Sequence, residues 1–161
     1  MNILMLSDLS AHRINGGSAR VLREQALALK KLGHDVRIIS RRTNENDTET
    51  SSDTLLEYGY KVNSICSPAF VFSSVINSIR KFDQLIKEGF KPDTALIHQS
   101  LSGIGPIFFR RNLIQEWIYE CHSLAHEEYI SRNKPGNNPF SSLNHFLHSM
   151  FRRMVERAVV H

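Results

Sequence analysis

Cysteine is nearly absent from this sequence of 161 residues, which contains Cys66 and Cys121 alone. The two lie far apart, and neither is accompanied by a second cysteine or a histidine at zinc-finger spacing. These observations argue against a disulfide framework and against a structural metal site. A reducing, cytoplasmic environment is the expectation that follows.

Long hydrophobic runs are also missing. The N-terminus has no basic region followed by an apolar core, so we expect no signal peptide, and no apolar run approaches the length needed to cross a bilayer. Peripheral contact with the inner face of a membrane stays open. The length is that of one domain with a substantial core. Hydrophobic residues at 41% and charged residues at 22% are typical of a soluble globular protein.

No long block of one charge sign is present. The formal net charge of +4 and the isoelectric point near 9.3 would suit phosphorylated ligands, acidic lipids or nucleic acid without choosing among them. The basic residues are spread along the chain with acidic ones between them, as on solvated faces. Nucleic-acid binding is not expected, because the aromatic side chains fall on apolar faces and do not interleave with a basic stripe.

Several motifs of catalysis and cofactor binding are missing. Without Gly-x-Gly-x-x-Gly the sequence has no dinucleotide fingerprint, and without Gly-x-Ser-x-Gly it has no hydrolase elbow. His122 and His126 are four residues apart, but the His-Glu-x-x-His pattern is absent, so a metal site is not expected. Ser7 and Asp8 together with a distant histidine do not suffice for a catalytic triad.

What the sequence does contain is a βαβ pattern near its N-terminus. Asn2–Ser7 is a short apolar run that suits a strand covered on both faces. After a loop from Leu9 to Gly17, an amphipathic helix opens at Ser18 and ends at Gly33, and Asp35–Ser40 predicts a second strand. Two strands joined in this way are parallel, with a right-handed crossover. The helix should bury the apolar residues that recur at helical spacing: Ala19, Leu22, Ala26 and Leu29.

The pair Gly16-Gly17 allows two interpretations. A helix N-terminus presents unpaired N–H groups and partial positive charge, and residues without a Cβ let an anion approach the backbone, so the pair could hold a phosphate. The pair could equally be a turn in which positive φ is permitted.

Strand and helix patterns continue to alternate along the chain. A polar loop at 42–54 precedes a short predicted strand at Leu55–Val62. Apolar residues then recur at helical spacing up to Gly89, which predicts a second amphipathic helix. Its apolar stripe consists of Val71, Val75, Ile79, Phe82 and Ile86.

The second half of the chain repeats the pattern. Thr94–His98 predicts a buried strand, residues 102–106 predict a glycine-containing loop with a short helix towards Arg111, and Glu116–Cys121 predicts another strand. Phe140–His161 has a helical pattern that no Gly or Pro closes, which suggests a piece of a longer protein. A natural C-terminal helix is the alternative.

Three predicted strands end in polar residues: Asp8, His98 followed by Gln99, and His122 followed by Ser123. Because the carboxyl ends of parallel strands share one edge, where open α/β sheets bind ligands, these side chains should meet at a site. The predicted fold class is therefore α/β, with a Rossmann-like parallel sheet flanked by helices.

These motifs together resemble the N-terminal half of family 4 retaining glycosyltransferases of the GT-B fold. The resemblance rests on the apolar opening that ends at Asp8, the Gly16-Gly17 loop, the Leu32–Val36 segment Leu-Gly-His-Asp-Val, and the strands that end at His98 and His122. It covers essentially the whole chain in the right order. Leu-Gly-His-Asp-Val after a glycine loop and a helix is the most specific part.

The resemblance implies an enzyme that transfers a sugar from a nucleotide-sugar donor to an acceptor with retention at the anomeric carbon and without an essential metal. In that family the N-terminal domain mostly holds the acceptor, and a C-terminal domain holds the nucleotide. Residues 1–161 would then be one acceptor-side domain, inactive without the donor-binding domain that this chain lacks. The acceptor would be a glycan, a lipid or a small molecule.

Carried over to this sequence, the resemblance assigns residues to roles. Gly16 and Gly17 would offer N–H groups to the leaving diphosphate. His122 would hydrogen-bond the transferred sugar or support its oxocarbenium-like state. The acceptor-side candidates, by position only, are Asp8, Arg13, His98 and Ser123. The loop before Gly16 lacks the proline that often stands there in the family, which is a departure from the pattern.

Two other functions remain open from the sequence. One is a stand-alone, non-catalytic module that binds a sugar phosphate or a partner protein through the same sheet edge. The other is a nucleotide-dependent enzyme of different chemistry, such as an epimerase.

Overall fold

The computed structural model describes residues 1–12, 16–42, 55–62 and 67–120, together with a few helical residues between 142 and 157. The elements alternate in the predicted manner. In chain order they are β1 (Asn2–Ser7), α1 (Gly17–Lys31), β2 (Asp35–Arg42), β3 (Leu56–Lys61), α2 (Ser67–Lys87), β4 (Thr94–Ile97), α3 (Ser100–Arg110), a 3₁₀ turn (Arg111–Leu113) and β5 (Glu116–Tyr119).

The five strands form one parallel sheet in the order β3-β2-β1-β4-β5. Each strand pair is parallel, with Met5 opposite both Ile38 on β2 and Leu96 on β4. The chain builds one side of the sheet from β1 through β3 and then returns to build the other side from β4. The crevice between β1 and β4 is therefore the topological switch point, where sheets of this kind bind ligands.

Helix α1 covers one face of the sheet, as its periodicity predicted. Ala19, Leu22 and Ala26 are buried, whereas Leu29 is half-buried and packs at the edge of the cluster. The β1 residues that face α1 alternate with those that face the other helices, which is the period of a strand. The cluster on this face contains Ile3, Met5, Ala11, Leu22, Ala26, Val36, Ile38 and Leu55.

Helices α2 and α3 cover the opposite face, but the most deeply buried stripe of α2 differs from the apolar stripe expected. Phe82 is fully buried as predicted, whereas Val71, Val75, Ile79 and Ile86 are half-buried. Two serines, Ser74 and Ser78, are instead fully buried. Small side chains are needed there because α3 approaches closely, so that a Cβ on Gly105 would lie 2.7 Å from the Ser78 Oγ.

The loop predicted at residues 102–106 is wrong, because these residues lie inside α3. Gly103 and Gly105 serve close packing here and not a turn. A Cβ on Gly103 would lie 2.7 Å from Cγ2 of Ile97, and one on Gly105 would lie 2.6 Å from the carbonyl oxygen of Val75. Pro106 is likewise inside the helix and not in its first turn. The helix continues through the proline and forfeits one backbone hydrogen bond.

No helix in the described part of the chain is long and apolar enough to span a bilayer. Towards the C-terminus, the described residues are helical, as expected. Three residues of the predicted apolar face there, Phe146, Met150 and Met154, are more than half exposed. The described part of that face is therefore not packed against the core.

Candidate functional site

The carboxyl ends of β1 and β4 are joined by polar contacts across the switch point. The hydroxyl of Ser7 donates to Oε1 of Gln99 at 2.9 Å, and the backbone N–H of Asp8 donates to the same oxygen at 2.7 Å. The backbone N–H of His98 donates to the carbonyl oxygen of Leu6 at 2.9 Å. These hydrogen bonds bring the predicted residues Asp8 and His98 to adjacent positions on one edge of the sheet.

His98 is buried at this edge beside a carboxylate. Its side chain is 2% exposed, and its Nδ1 lies 3.6 Å from Oε2 of Glu120, which follows β5. The other oxygen of Glu120, Oε1, accepts a hydrogen bond of 2.8 Å from Nε2 of Gln25 on α1. Glu120 thus connects the buried imidazole of β4 with the helix on the same face of the sheet.

The glycine pair has the geometry of an open helix N-terminus. Gly16 precedes α1 with φ 113° and ψ 169°, a conformation that is essentially restricted to glycine. The first turn of α1 has no side-chain cap and no acidic residue. Gly16 and Gly17 are exposed, and a Cβ on either would have nothing within 4 Å. Among the described residues, no side chain caps the first N–H groups of α1, which lie at the positive end of the helix dipole.

A buried carboxylate of β3 holds the loop that leads to this glycine pair. Glu57 accepts a hydrogen bond from the backbone N–H of Ala11 at 3.1 Å and lies 3.6 Å from Nε2 of His12. The hydroxyl of Ser40 donates to its other oxygen. Its side chain is 4% exposed, so these contacts replace water almost completely. Glu57 fixes the loop only four residues before Gly16.

On the face of the sheet that α2 covers, Tyr60 lies near the charged side chains of Asp8 and Arg41. Burial raises the pKa of its phenol well above the usual range, and the negative charge of Asp8 raises this pKa further. The hydroxyl therefore stays protonated at physiological pH. It lies 3.2 Å from the hydroxyl of Ser74 on α2, within hydrogen-bonding distance.

The structure places four of the seven predicted site residues. Asp8 and His98 follow the neighbouring strands β1 and β4 at the switch point, Gly16 precedes α1, and Gly17 is its first residue. The remaining three, Arg13, His122 and Ser123, lie outside the described residues. In the part of the chain that is described, no group of three or more His, Cys, Asp or Glu side chains is placed to hold a metal ion.

Sequence reasoning assigned no role to three residues that shape the site: Gln99, Glu57 and Glu120. Gln99 directly follows a predicted strand, which was a usable signal. Glu57 and Glu120 lie in stretches predicted as strands, and a carboxylate inside an otherwise apolar strand pattern was the signal that both carried. Their partners were not identifiable, since Glu57 and Ala11 are 46 positions apart and Glu120 and Gln25 are 95 positions apart.

Among solved structures, the chain is similar to the sucrose-phosphate synthase of Thermosynechococcus elongatus, with a TM-score of 0.67 and 16% sequence identity. The match covers 98% of this chain and 39% of that one, so the chain spans well under half the length of that protein. The likeness concerns the fold, and it confirms the predicted Rossmann-like architecture of the N-terminal half of a GT-B glycosyltransferase. No curated protein matches the sequence.

A family model described as "Glycosyl transferase 4-like domain" matches residues 16–161, beginning at the first glycine of the pair. This match covers most of the chain and includes α1, the sheet edge at β4 and β5, and the Leu-Gly-His-Asp-Val segment. The chain therefore belongs to the glycosyl transferase 4-like domain family, as its motifs predicted.

Proposed function

We propose that this domain is the acceptor-side part of a retaining glycosyltransferase that takes its sugar from a nucleotide-sugar donor. The observation that carries the proposal is the placement of the glycine pair. Gly16, with φ 113°, opens an uncapped helix at the sheet edge where Asp8 and His98 lie. This arrangement supports the proposal, because sugar transfer requires an anion site next to a polar acceptor site.

In this proposal the glycine pair acts on the leaving group. When the bond between sugar and phosphate breaks, negative charge develops on the diphosphate. The exposed N–H groups at the start of α1 would donate to that charge, and the helix dipole favours it there. A second domain would hold the nucleotide, as the family resemblance implies.

The strand ends supply the groups that contact the sugar and the acceptor. His122 would hydrogen-bond the transferred sugar or stabilise its oxocarbenium-like state. Asp8, Arg13, His98 and Ser123 would contact the acceptor. Glu120 faces Nδ1 of His98 and so fixes the orientation of the imidazole. The proposed reaction uses no metal, and the nucleotide sugar is a substrate and not a cofactor.

The acceptor class defines where the enzyme works. We place it in the cytoplasm, with contact to the inner face of the membrane if the acceptor is a lipid. A glycan or a soluble small molecule would require no such contact.

The experiment uses the full-length protein and a panel of nucleotide sugars. We expect release of free nucleotide from one donor, with slow hydrolysis even before the acceptor is known. His122→Ala should lower this turnover at least tenfold with little change in melting temperature, while His34→Ala, a half-buried histidine far from the edge, should not. Binding of a sugar phosphate without turnover of any donor would support the non-catalytic module instead, and full activity of His122→Ala would remove His122 from the site.

A further inference from the structure

Strand β2 carries two arginines on the same face, and their surroundings differ. Arg37 and Arg41 are four positions apart, so both side chains point towards the helix α2 side of the sheet. Each guanidinium lies over an aromatic ring, Arg37 over Phe90 at 4.4 Å and Arg41 over Phe70 at 5.1 Å. Both arginines stack on an aromatic ring, but among the described residues only Arg37 lies close to carboxylates.

Arg37 is surrounded by acceptors. Its guanidinium lies 3.6 Å from the carboxylate of Asp35 and 3.9 Å from that of Glu88, and it donates to the hydroxyl of Tyr58 at 3.3 Å. The amino end of β2, where Arg37 lies, is remote from the ligand-binding edge. This arginine has the partners of a structural residue.

Arg41 has no such partners among the described residues. No carboxylate forms an ion pair with it in that part of the chain. Its buried Nε makes no hydrogen bond there, which is also true of the Nε of Arg37, so the two arginines differ in their ion pairs. A guanidinium has five N–H donors that water or acceptors must satisfy, and burial without an acceptor is unfavourable. Within the described part of the chain, Arg41 is thus held against Phe70 and its Nε has no acceptor.

The position of Arg41 is at the edge where the acceptor candidates lie. Arg41 is opposite Tyr60 on β3, and the preceding Ser40 is opposite Ser7, the last residue of β1. Asp8 and Arg41 therefore each come one position after this pair. Neighbouring strands are about 4.8 Å apart. The charges of Asp8 and Arg41 act in opposite directions on the pKa of the Tyr60 hydroxyl, which agrees with this arrangement.

We propose that Arg41 binds an anionic group of the acceptor, a phosphate or a carboxylate, and that the acceptor of this domain is a hydroxylated anion such as a sugar phosphate or a sugar acid. The inference rests on the proposed function, because it names the substrate class of the same site.

The chemistry of the row Asp8–Arg41 fits such a molecule. A planar guanidinium matches two oxygens of a phosphate or a carboxylate, and the contact with Phe70 fixes its plane. Asp8 alongside accepts hydrogen bonds from hydroxyl groups and repels a second negative charge. A neutral sugar would leave the Arg41 donors unsatisfied, so the row selects a single anionic group beside hydroxyls.

The test measures binding of three probes to the full-length protein by calorimetry at about 0.15 M salt, which screens non-specific attraction. The probes are glucose 6-phosphate, glucuronate and glucose. We expect at least tenfold tighter binding of one or both anions than of glucose, and the tighter of the two anions identifies phosphate or carboxylate. Equal binding of all three probes would overturn the proposal.

Variants assign the preference to Arg41. Arg41→Met keeps the apolar stem and should abolish the preference, whereas Arg37→Met, the matched stacked arginine on the same strand, should retain it. Arg41→Lys keeps the charge but loses the two-pronged contact, so it should bind the anion several-fold more weakly than the wild type. If Arg41→Met does not fold, the lysine variant decides, and wild-type affinity in that variant contradicts the proposal.

Donor turnover is measured in parallel and separates the two proposals. An Arg41-dependent anion preference in a protein that consumes no nucleotide sugar would support an anion site at Arg41 but refute the glycosyl-transfer proposal, and with it the assignment of that anion as an acceptor. Consumption of a donor without any anion preference would refute this inference alone.

Discussion

Nε2 of Gln25 donates a hydrogen bond of 2.8 Å to Oε1 of Glu120, joining α1 to the end of β5. Helix α1 begins at the glycine pair, and Glu120 stands two positions before His122 in the sequence. One hydrogen bond therefore connects the two parts of the chain that the proposed function assigns to the diphosphate and to the sugar. The other oxygen of Glu120 lies 3.6 Å from His98, so the same carboxylate also orients the acceptor side.

Replacement of Glu120 should affect turnover more than stability. The side chain is 32% exposed, so losing its hydrogen bond in Glu120→Ala should cost only about 0.5–1.5 kcal/mol of unfolding free energy. Donor turnover should fall at least tenfold, and Glu120→Gln should recover part of it because an amide oxygen still accepts from Gln25. Glu116→Gln, at the other end of β5, is the control. Equal turnover in all three variants would show that the connection is only structural.

Loss of the Glu57 carboxylate should loosen the loop after β1. In Glu57→Ala the backbone N–H of Ala11 and the hydroxyl of Ser40 lose a buried acceptor, which costs about 1–3 kcal/mol. Hydrogen exchange should quicken at Ala11 before the sheet opens. Glu24→Gln, on the exposed face of α1, should change neither quantity. Unaltered exchange at Ala11 would show that Glu57 does not hold the loop.

The two glycines of the pair should respond differently to alanine. Gly16 has φ 113°, so Gly16→Ala is strained by about 1–3 kcal/mol even though the space around it is open. Gly17 is helical and unhindered, so Gly17→Ala should leave stability within about 1 kcal/mol of the wild type. Its methyl group would nevertheless stand where the diphosphate approaches and should raise KM for the donor. Chemical denaturation and steady-state kinetics measure the two effects, and an unchanged donor KM would place the phosphate elsewhere.

Close packing of α3 on α2 should make Gly105→Ala destabilising by about 1–3 kcal/mol. The added Cβ would lie 2.6 Å from the carbonyl oxygen of Val75 and 2.7 Å from the Ser78 Oγ. Removing the Oγ as well, in Gly105→Ala with Ser78→Ala, should not restore stability, because the backbone oxygen cannot move aside. Urea denaturation checks both variants, and full stability of the single variant would contradict the close approach.

The ion pair between α2 and α3 should make a small contribution to the free energy of unfolding, and this contribution should be lost in acid. Arg110 donates to both carboxylate oxygens of Asp83 at 2.7 Å, and this contact lowers the pKa of Asp83 below its usual 3.8. A lowered folded-state pKa means that the stabilisation is present above pH 3.8 and is lost as the pH falls through the folded value. Asp83→Asn should thus cost at most about 1 kcal/mol near neutrality, since both side chains are partly exposed. The difference from wild type should vanish in acid, and a difference that grows in acid would contradict the assignment.

The sequence by itself determined the alternation of strands and helices, the buried face of α1, and the family. These features depend on local pattern: apolar residues at helical spacing place Ala19, Leu22 and Ala26 on one face wherever the helix packs. It also indicated the edge where Asp8 and His98 meet, because parallel strands necessarily end on the same side.

The tertiary structure alone decided which side chains contact one another at that edge. Gln99 meets Ser7 across 92 positions, and Glu57 holds Ala11 across 46, because the sheet places β4 on one side of β1 and β2 followed by β3 on the other. Residues 102–106 are helical and not the expected loop for a similar reason. Their glycines allow α3 to pack closely against Ile97 and Val75, neighbours that only the tertiary structure supplies. Periodicity states which face of an element is buried, but the neighbour that buries it is chosen by the packing of the whole chain.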